Sequence, residues 1–192
     1  YGDHRDLHLS IRRQRQMCIR DRLGTGILST ATKRGVDIGS LSDQSVALMA
    51  TLNTPGADLA KAGLVRGGTD VTGFGLLGHL GAMARESRVT AVIESGQVPG
   101  IDTKVLALIE EGCVPGGTRA NLEAASGTSF SRDVPDAVRL LLADAQTSGG
   151  LLLCIPPQNL DPALAVLKEK GAPCAEVIGE MKVRGDDDIE VR

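Results

Sequence analysis

The segment Gly67-Gly-Thr-Asp-Val-Thr-Gly-Phe-Gly-Leu-Leu-Gly-His-Leu80 sets one carboxylate, Asp70, beside a run of glycines that opens a helix. Glycine lets a backbone approach a ligand closely, and a helix N-terminus offers unpaired N–H groups to anions. An Asp in that place suits Mg2+ held against nucleotide phosphates, because Mg2+ takes few carboxylates and fills its shell with phosphate oxygens and water. A plainer reading also stands: Asp70 or Thr72 caps the helix starting near Gly75, an effect of about 1 kcal/mol. On spacing alone the cap is the simpler of the two. The stretch also contains G-x-G-x-x-G at Gly73, Gly75 and Gly78, and Glu94 ends a strand about twenty residues beyond, as in a dinucleotide-binding fold. Two features weigh against that remote alternative. The run before the glycines is Gly-Gly-Thr-Asp-Val-Thr instead of a buried apolar strand, and Asp70 would repel a pyrophosphate unless a cation lay between them.

Two further segments have residues suited to chemistry. Leu140 to Cys154 runs from an amphipathic helix through a polar turn into an apolar strand. Its Thr147-Ser-Gly-Gly150 either presents N–H groups to an anion or makes a tight helix-to-strand connection, and the connection is the simpler reading. Val114 to Asn121 starts a helix that Thr118 would cap, leaving Arg119 and Asn121 available at the surface. Cys18, Cys113, Cys154 and Cys174 are scattered, with no CxxC pair and no nearby His. They read as free thiols of a reducing compartment, without a disulfide or metal site. His4 and His8 are not at a ligand spacing to rely on.

The elements that must position these residues follow from periodicity. Leu23 to Leu28 reads as a short strand with glycines where another backbone comes close. Leu41 to Leu52 is helical, and a second short helix follows Asn53-Thr-Pro-Gly56 through Leu64. Thr69 to Thr72 is strand-like, Gly75 to Ser87 a helix, and Val89 to Glu94 a strand. Helices are expected over 103–111, 119–125, 135–143 and 160–170, with a buried strand at Leu151 to Ile155. Glu176 to Val183 and Ile189 to Val191 would close as an edge hairpin across Gly185-Asp-Asp-Asp188. The pattern is that of an α+β fold, helices packed on one face of a mixed or antiparallel sheet.

Composition bounds the function. The chain of 192 residues can bury a real core, and with 2% aromatic residues that core must be aliphatic. No apolar run reaches the length of a membrane span and no signal peptide opens the chain, so a cytoplasmic protein without membrane contact is expected. Residues 1–22 hold six Arg against three Asp, so the net charge of −3 leaves −6 for residues 23–192. An acidic remainder argues against nucleic acid as the partner. The basic stretch itself has no clear period, and Met17-Cys-Ile-Arg-Asp-Arg22 looks like translated transposon-end sequence from library preparation. Residues 1–22 are therefore expected to be a non-native leader, outside the fold.

The same segments resemble one family. Thr69 to Leu80 is similar to the signature of selenophosphate synthetases (selenide, water dikinases). Pro115-Gly-Gly-Thr118 with Asn121, and Gln146-Thr-Ser-Gly-Gly-Leu-Leu152, follow in that family's order and separation. Leu23 to Leu28 resembles the last strand of the family's N-terminal domain, and Ile178-Gly179 its closing strand. Ala145 departs from the family's Asp-Pro-Gln-Thr motif, which loosens a turn. The resemblance implies an aminoimidazole-ribotide-synthase-like protein: residues 23–36 ending the N-terminal ATP-binding domain and linker, and 37–192 forming the C-terminal domain. It implies conversion of selenide, ATP and water to selenophosphate, AMP and phosphate, with Mg2+, in homodimers paired through the N-terminal domains. It also reverses the preference for a cap: Asp70 matches a magnesium ligand of the family. The reactive Cys or selenocysteine, its Lys and the phosphate loop belong to an N-terminal domain that this sequence does not contain. Cys113 lacks the Lys spacing and takes no catalytic role, so the fragment alone is expected to be inactive. His79 resembles a family-typical residue and reads as a structural hydrogen-bonder. A sibling ATP enzyme, such as a thiamine-phosphate kinase or a hydrogenase maturation factor, and a non-catalytic folded module are the alternatives.

Overall fold

The computed structural model describes residues 15–192; the part of the expected leader before Arg15, with His4 and His8, lies outside the described residues. Seven strands form one mixed sheet in the order β2-β5-β1-β6-β3-β7-β4. They are β1 (Arg15–Ile19), β2 (Gly67–Asp70), β3 (Val89–Ile93), β4 (Thr128–Phe130), β5 (Leu151–Ile155), β6 (Glu176–Val183) and β7 (Ile189–Val191). The pairs from β2 through β3 are antiparallel, whereas β7 runs parallel to both β3 and β4. Eight helices accompany it among the described residues: α1 (Thr25–Lys33), α2 (Leu41–Ala50), α3 (Thr54–Lys61), α4 (Gly75–Ser87), α5 (Lys104–Glu110), α6 (Gly116–Ala124), α7 (Asp136–Leu142) and α8 (Leu160–Glu169). This is the expected α+β class with a mixed sheet, but helices cover both faces and not one, because α3 and α8 lie on the side opposite the main core.

Burial follows the alternation of the strands. Met17, Ile19, Leu152 and Ile178 face the main core, where Ile27, Leu76, Leu80, Val105 and Leu142 of the helices meet them. Their in-between neighbours Cys18, Leu153 and Ile155 point to the reverse face, where Leu59 of α3 and Ala163 and Leu167 of α8 cover them. Each fully buried Leu or Ile contributes about 1.5–3 kcal/mol, so aliphatic side chains suffice without aromatics.

Three expectations are corrected. Leu23 to Leu28 is not a strand: α1 begins at Thr25, and Ile27, Leu28 and Ala31 join the main core. β6 and β7 do not pair as a hairpin but flank β3 on its two edges. All five residues of β3 are buried, so the strand needs partners on both sides. Thr90 Oγ1 fixes the return loop by donating to Asp187 O and accepting from Gly185 N–H. Finally, Arg15 to Arg22 is not outside the fold. β1 sits between β5 and β6, with Met17, Cys18 and Ile19 buried. Three apolar residues are enough to fill that slot, too few to show a period in the sequence. The fit is imperfect: the ladder to β6 shifts between Met17 and Cys18, and buried Arg20 Nε and Asp21 Oδ2 have no hydrogen-bond partner among the described residues.

The loop before β5 packs tightly. A Cβ on Gly149 would lie 1.8 Å from Val71 O. Gly149→Ala is therefore expected to cost about 3 kcal/mol. Thermal melting should show a midpoint lower by roughly 6–12 °C; an unchanged midpoint would mean that the loop and the Val71 strand end are not packed in this way.

Candidate metal site on a turn pinned by three motifs

Asp70 is the last residue of the edge strand β2, opposite Leu151 of β5. Its side chain is exposed, and no hydrogen bond or ion pair holds its carboxylate among the described residues. The turn that follows is fixed on every side. Val71, 1% exposed, donates its N–H to Gly150 O. Thr72 O accepts from Gln146 N–H and Gly75 N–H, and Thr72 N–H donates to His79 Nε2 at 3.1 Å. Gly73 O accepts from Asn121 Nδ2 at 2.9 Å. Gly75 then opens α4 with φ of 67°, and a Cβ there would meet Ala143 O at 2.5 Å. Residue 74 is the N-cap of α4, and no side chain caps it, so neither Asp70 nor Thr72 is the cap that spacing alone suggested.

A second polar cluster lies beneath. Asp144 is fully buried and its Oδ2 accepts from Gly26 N–H, Ile27 N–H and Gln146 Nε2, while Oδ1 accepts from Thr118 Oγ1. Gln146 Oε1 accepts from the N–H groups of Gly24 and Thr25 and from Thr25 Oγ1. Together the two side chains take the first four N–H groups of α1, a cap supplied from the far end of the chain. Burial pushes the Asp144 pKa up to about 6, against the opposing pull of bonds from Thr118, Gln146, Ile27 and Gly26. Thr118 is thus not a helix cap but a buried link to Asp144, and α6 starts earlier, at Gly116. Asn121 is not left available either: its Nδ2 bridges Gly73 O and Ala143 O. Ala145 N–H donates to Thr118 Oγ1 at 3.2 Å, a bond that a proline there could not make.

Sequence reasoning missed Asp144 and the Gln146 side chain. The available signal was a Gly-Thr-Gly helix start with no capping residue at Gly24, matched by an unexplained Asp-x-Gln in a buried turn. Thr147 to Gly150 acts as the connection: Thr147 N–H is taken by Thr25 Oγ1, and Gly149 O and Gly150 O accept from Asn53 Nδ2 and Val71 N–H. The G-x-G-x-x-G helix follows an antiparallel edge strand in a mixed sheet, which is not the parallel crossover of a dinucleotide-binding fold.

Among the described residues no group of three or more His, Cys, Asp or Glu comes together to hold a metal. Asp70 therefore fits only a cation that draws most of its shell from water, phosphate oxygens or residues beyond those described, which is the habit of Mg2+. Cys18, Cys113 and Cys154 are buried free thiols, Cys174 is half-buried, and burial pushes Cys18, Cys154 and Cys174 up to about 12. None of these is poised as a nucleophile.

The profile of the family AIR synthase related protein, C-terminal domain, matches residues 19–192. The chain belongs to this family. Among curated relatives of this AIR synthase related domain, the selenide, water dikinase of Myxococcus xanthus is 40% identical over 172 residues. That of Pseudomonas aeruginosa is 43% identical over 173 residues. Each alignment takes in 88% of this chain and 48% of the relative, so the chain spans about half the length of the curated relatives it matches. The fold recurs in solved structures. Hydrogenase maturation protein HypE in complex with ATP superposes with a TM-score of 0.68 at 20% identity, over 93% of this chain and 45% of that one. Thiamine-monophosphate kinase from Stenotrophomonas maltophilia K279a gives 0.61 at 19% identity, over 96% and 52%. Those two establish the common fold only; the two dikinases are about twice as similar in sequence. No helix among the described residues is long and apolar enough to cross a membrane.

Proposed function

We propose that this chain is the C-terminal half of a selenide, water dikinase, which phosphorylates selenide with ATP to give selenophosphate, AMP and phosphate. The observation that carries the reading is the exposed Asp70 carboxylate, held by no hydrogen bond or ion pair among the described residues, on a turn that all three motifs pin. In the complete enzyme Asp70 would hold Mg2+ at the nucleotide, and the ion supplies charge neutralisation of the phosphates. The chain's own contribution is geometric: β2, α4, Asn121 and Gln146 fix where that carboxylate stands. The nucleophile and the phosphate loop belong to the other half, so this half alone is inactive. ATP and selenide are the substrates, the whole protein is a cytoplasmic homodimer paired through the N-terminal halves, and neither nucleic acid nor membrane takes part.

Residues 1–22 are on this reading a foreign leader and 37–192 the C-terminal domain, and 23–36, expected to end the N-terminal domain and form the linker, joins the C-terminal domain instead, because α1 packs in its core. The ladder shift and the two buried atoms, Arg20 Nε and Asp21 Oδ2, that lack a hydrogen-bond partner among the described residues support a strand that fills β1's slot without having been shaped for it.

Calorimetry with Mg·ATP tests the division of labour. The chain alone is expected to show no binding at micromolar ATP. Residues 23–192 joined to the N-terminal half of the Pseudomonas aeruginosa relative are expected to bind. Tight binding to the chain alone would assign it a nucleotide site of its own and contradict the proposal.

A further inference from the structure

We infer that His79 is the residue that aims Asp70: its ring nitrogen, as acceptor for the Thr72 N–H, locks the turn so that the Asp70 carboxylate stands exposed, with no hydrogen bond or ion pair among the described residues. The inference rests on the reading of Asp70 as a metal ligand and adds a positioning residue to it.

The geometry is specific. Thr72 N–H points at His79 Nε2 at 3.1 Å, and Thr72 Oγ1 lies 3.0 Å from the same atom. A backbone N–H can only donate, so Nε2 carries no proton and the neutral ring holds its proton on Nδ1. The Phe74 ring centroid lies 5.9 Å from that of the imidazole, tilted by 59°. Burial lowers the His79 pKa and the nearby Asp70 charge opposes it, which places the two side chains in each other's field. His79 belongs to helix α4, whose Leu76, Leu77 and Leu80 are anchored in the core. The acceptor is thus fixed to a rigid element, while Asp70 lies at the end of a four-residue edge strand with one ladder neighbour. Val71 N–H and Thr72 O are fixed by backbone partners that any residue at position 79 would leave in place. The Thr72 N–H and hydroxyl are the turn groups whose partner is the His79 side chain.

The test uses the complete chain, with Mn2+ as the paramagnetic probe. In the wild type, Mn2+ should broaden the amide signals around Asp70 selectively, and the Thr72 amide should exchange slowly. His79→Ala should speed Thr72 exchange about tenfold or more and disperse the Mn2+ effect, with the fold retained. His79→Gln, whose Oε1 reaches the place of Nε2, should restore both. In the joined enzyme, His79→Ala should raise the Mg2+ needed for half-maximal turnover about tenfold while kcat at saturating Mg2+ stays near wild type. A protected Thr72 amide or an unchanged Mn2+ effect in His79→Ala would overturn the role of His79, as would failure of Gln to rescue. An Asp70→Asn variant of the joined enzyme with wild-type Mg2+ demand would instead remove Asp70 as a ligand, and the positioning role with it.

Discussion

Asp144→Ala is expected to destabilise the chain by about 3–5 kcal/mol, because it strips the acceptor from a buried, charge-assisted network. Gly26 N–H, Ile27 N–H, Thr118 Oγ1 and Gln146 Nε2 all lose a partner at once. The start of α1 should fray and the thermal midpoint fall by roughly 6–20 °C. The pH dependence separates this from a simple cavity. Burial raises the folded pKa of Asp144 from the ordinary 3.8 to about 6, so the folded state holds the proton more tightly than the unfolded chain does. Its stabilising contribution is therefore full below about pH 4 and is lost as the pH rises through 6, where keeping the buried group ionised costs about 3 kcal/mol. Asp144→Asn cannot ionise. Urea unfolding from pH 4 to 8 should show the wild type losing stability relative to Asp144→Asn across that window. Parallel curves, or a wild type that gains on the variant as pH rises, would contradict the assignment.

Asp70→Asn is expected to abolish ATP turnover in residues 23–192 joined to a relative's N-terminal half, by about a hundredfold or more. The amide keeps an oxygen but not the charge that holds a divalent cation. Because the side chain is exposed and no partner holds its carboxylate among the described residues, stability should change by less than about 0.5 kcal/mol. Raising Mg2+ should recover part of the activity, as expected when a ligand is weakened and the fold is intact. Unfolding curves and steady-state rates on the same preparations separate the two effects. Wild-type turnover at ordinary Mg2+ would remove Asp70 from the mechanism.

Elements whose signal is local were legible. The helix expected over Gly75 to Ser87 is α4 residue for residue, and the buried strands near Val89 and Leu151 stand where the apolar runs placed them. Elements that depend on distant partners were not. The Gly-Thr-Gly start of α1 looks like a strand until Asp144 and Gln146 arrive from the other end of the chain to take its N–H groups. The β6–β7 hairpin fails because a fully buried β3 claims both edges. β1 fails because its place is created by β5 and β6, not by its own sequence. At the candidate site, Asp70 could be singled out by type and position, but its supports could not. Asn121 read as a surface residue and Thr118 as a cap, whereas both turn inward to hold the turn and the buried carboxylate.

The most direct measurement is AMP formation from ATP, with and without selenide, by residues 23–192 joined to the N-terminal half of the Pseudomonas aeruginosa relative. Selenide-dependent AMP and phosphate from the joined protein, with none from this chain alone, is the predicted result. A folded joined protein that forms no AMP, or one that consumes ATP equally well without selenide, would contradict the assignment of this chain to a selenide, water dikinase.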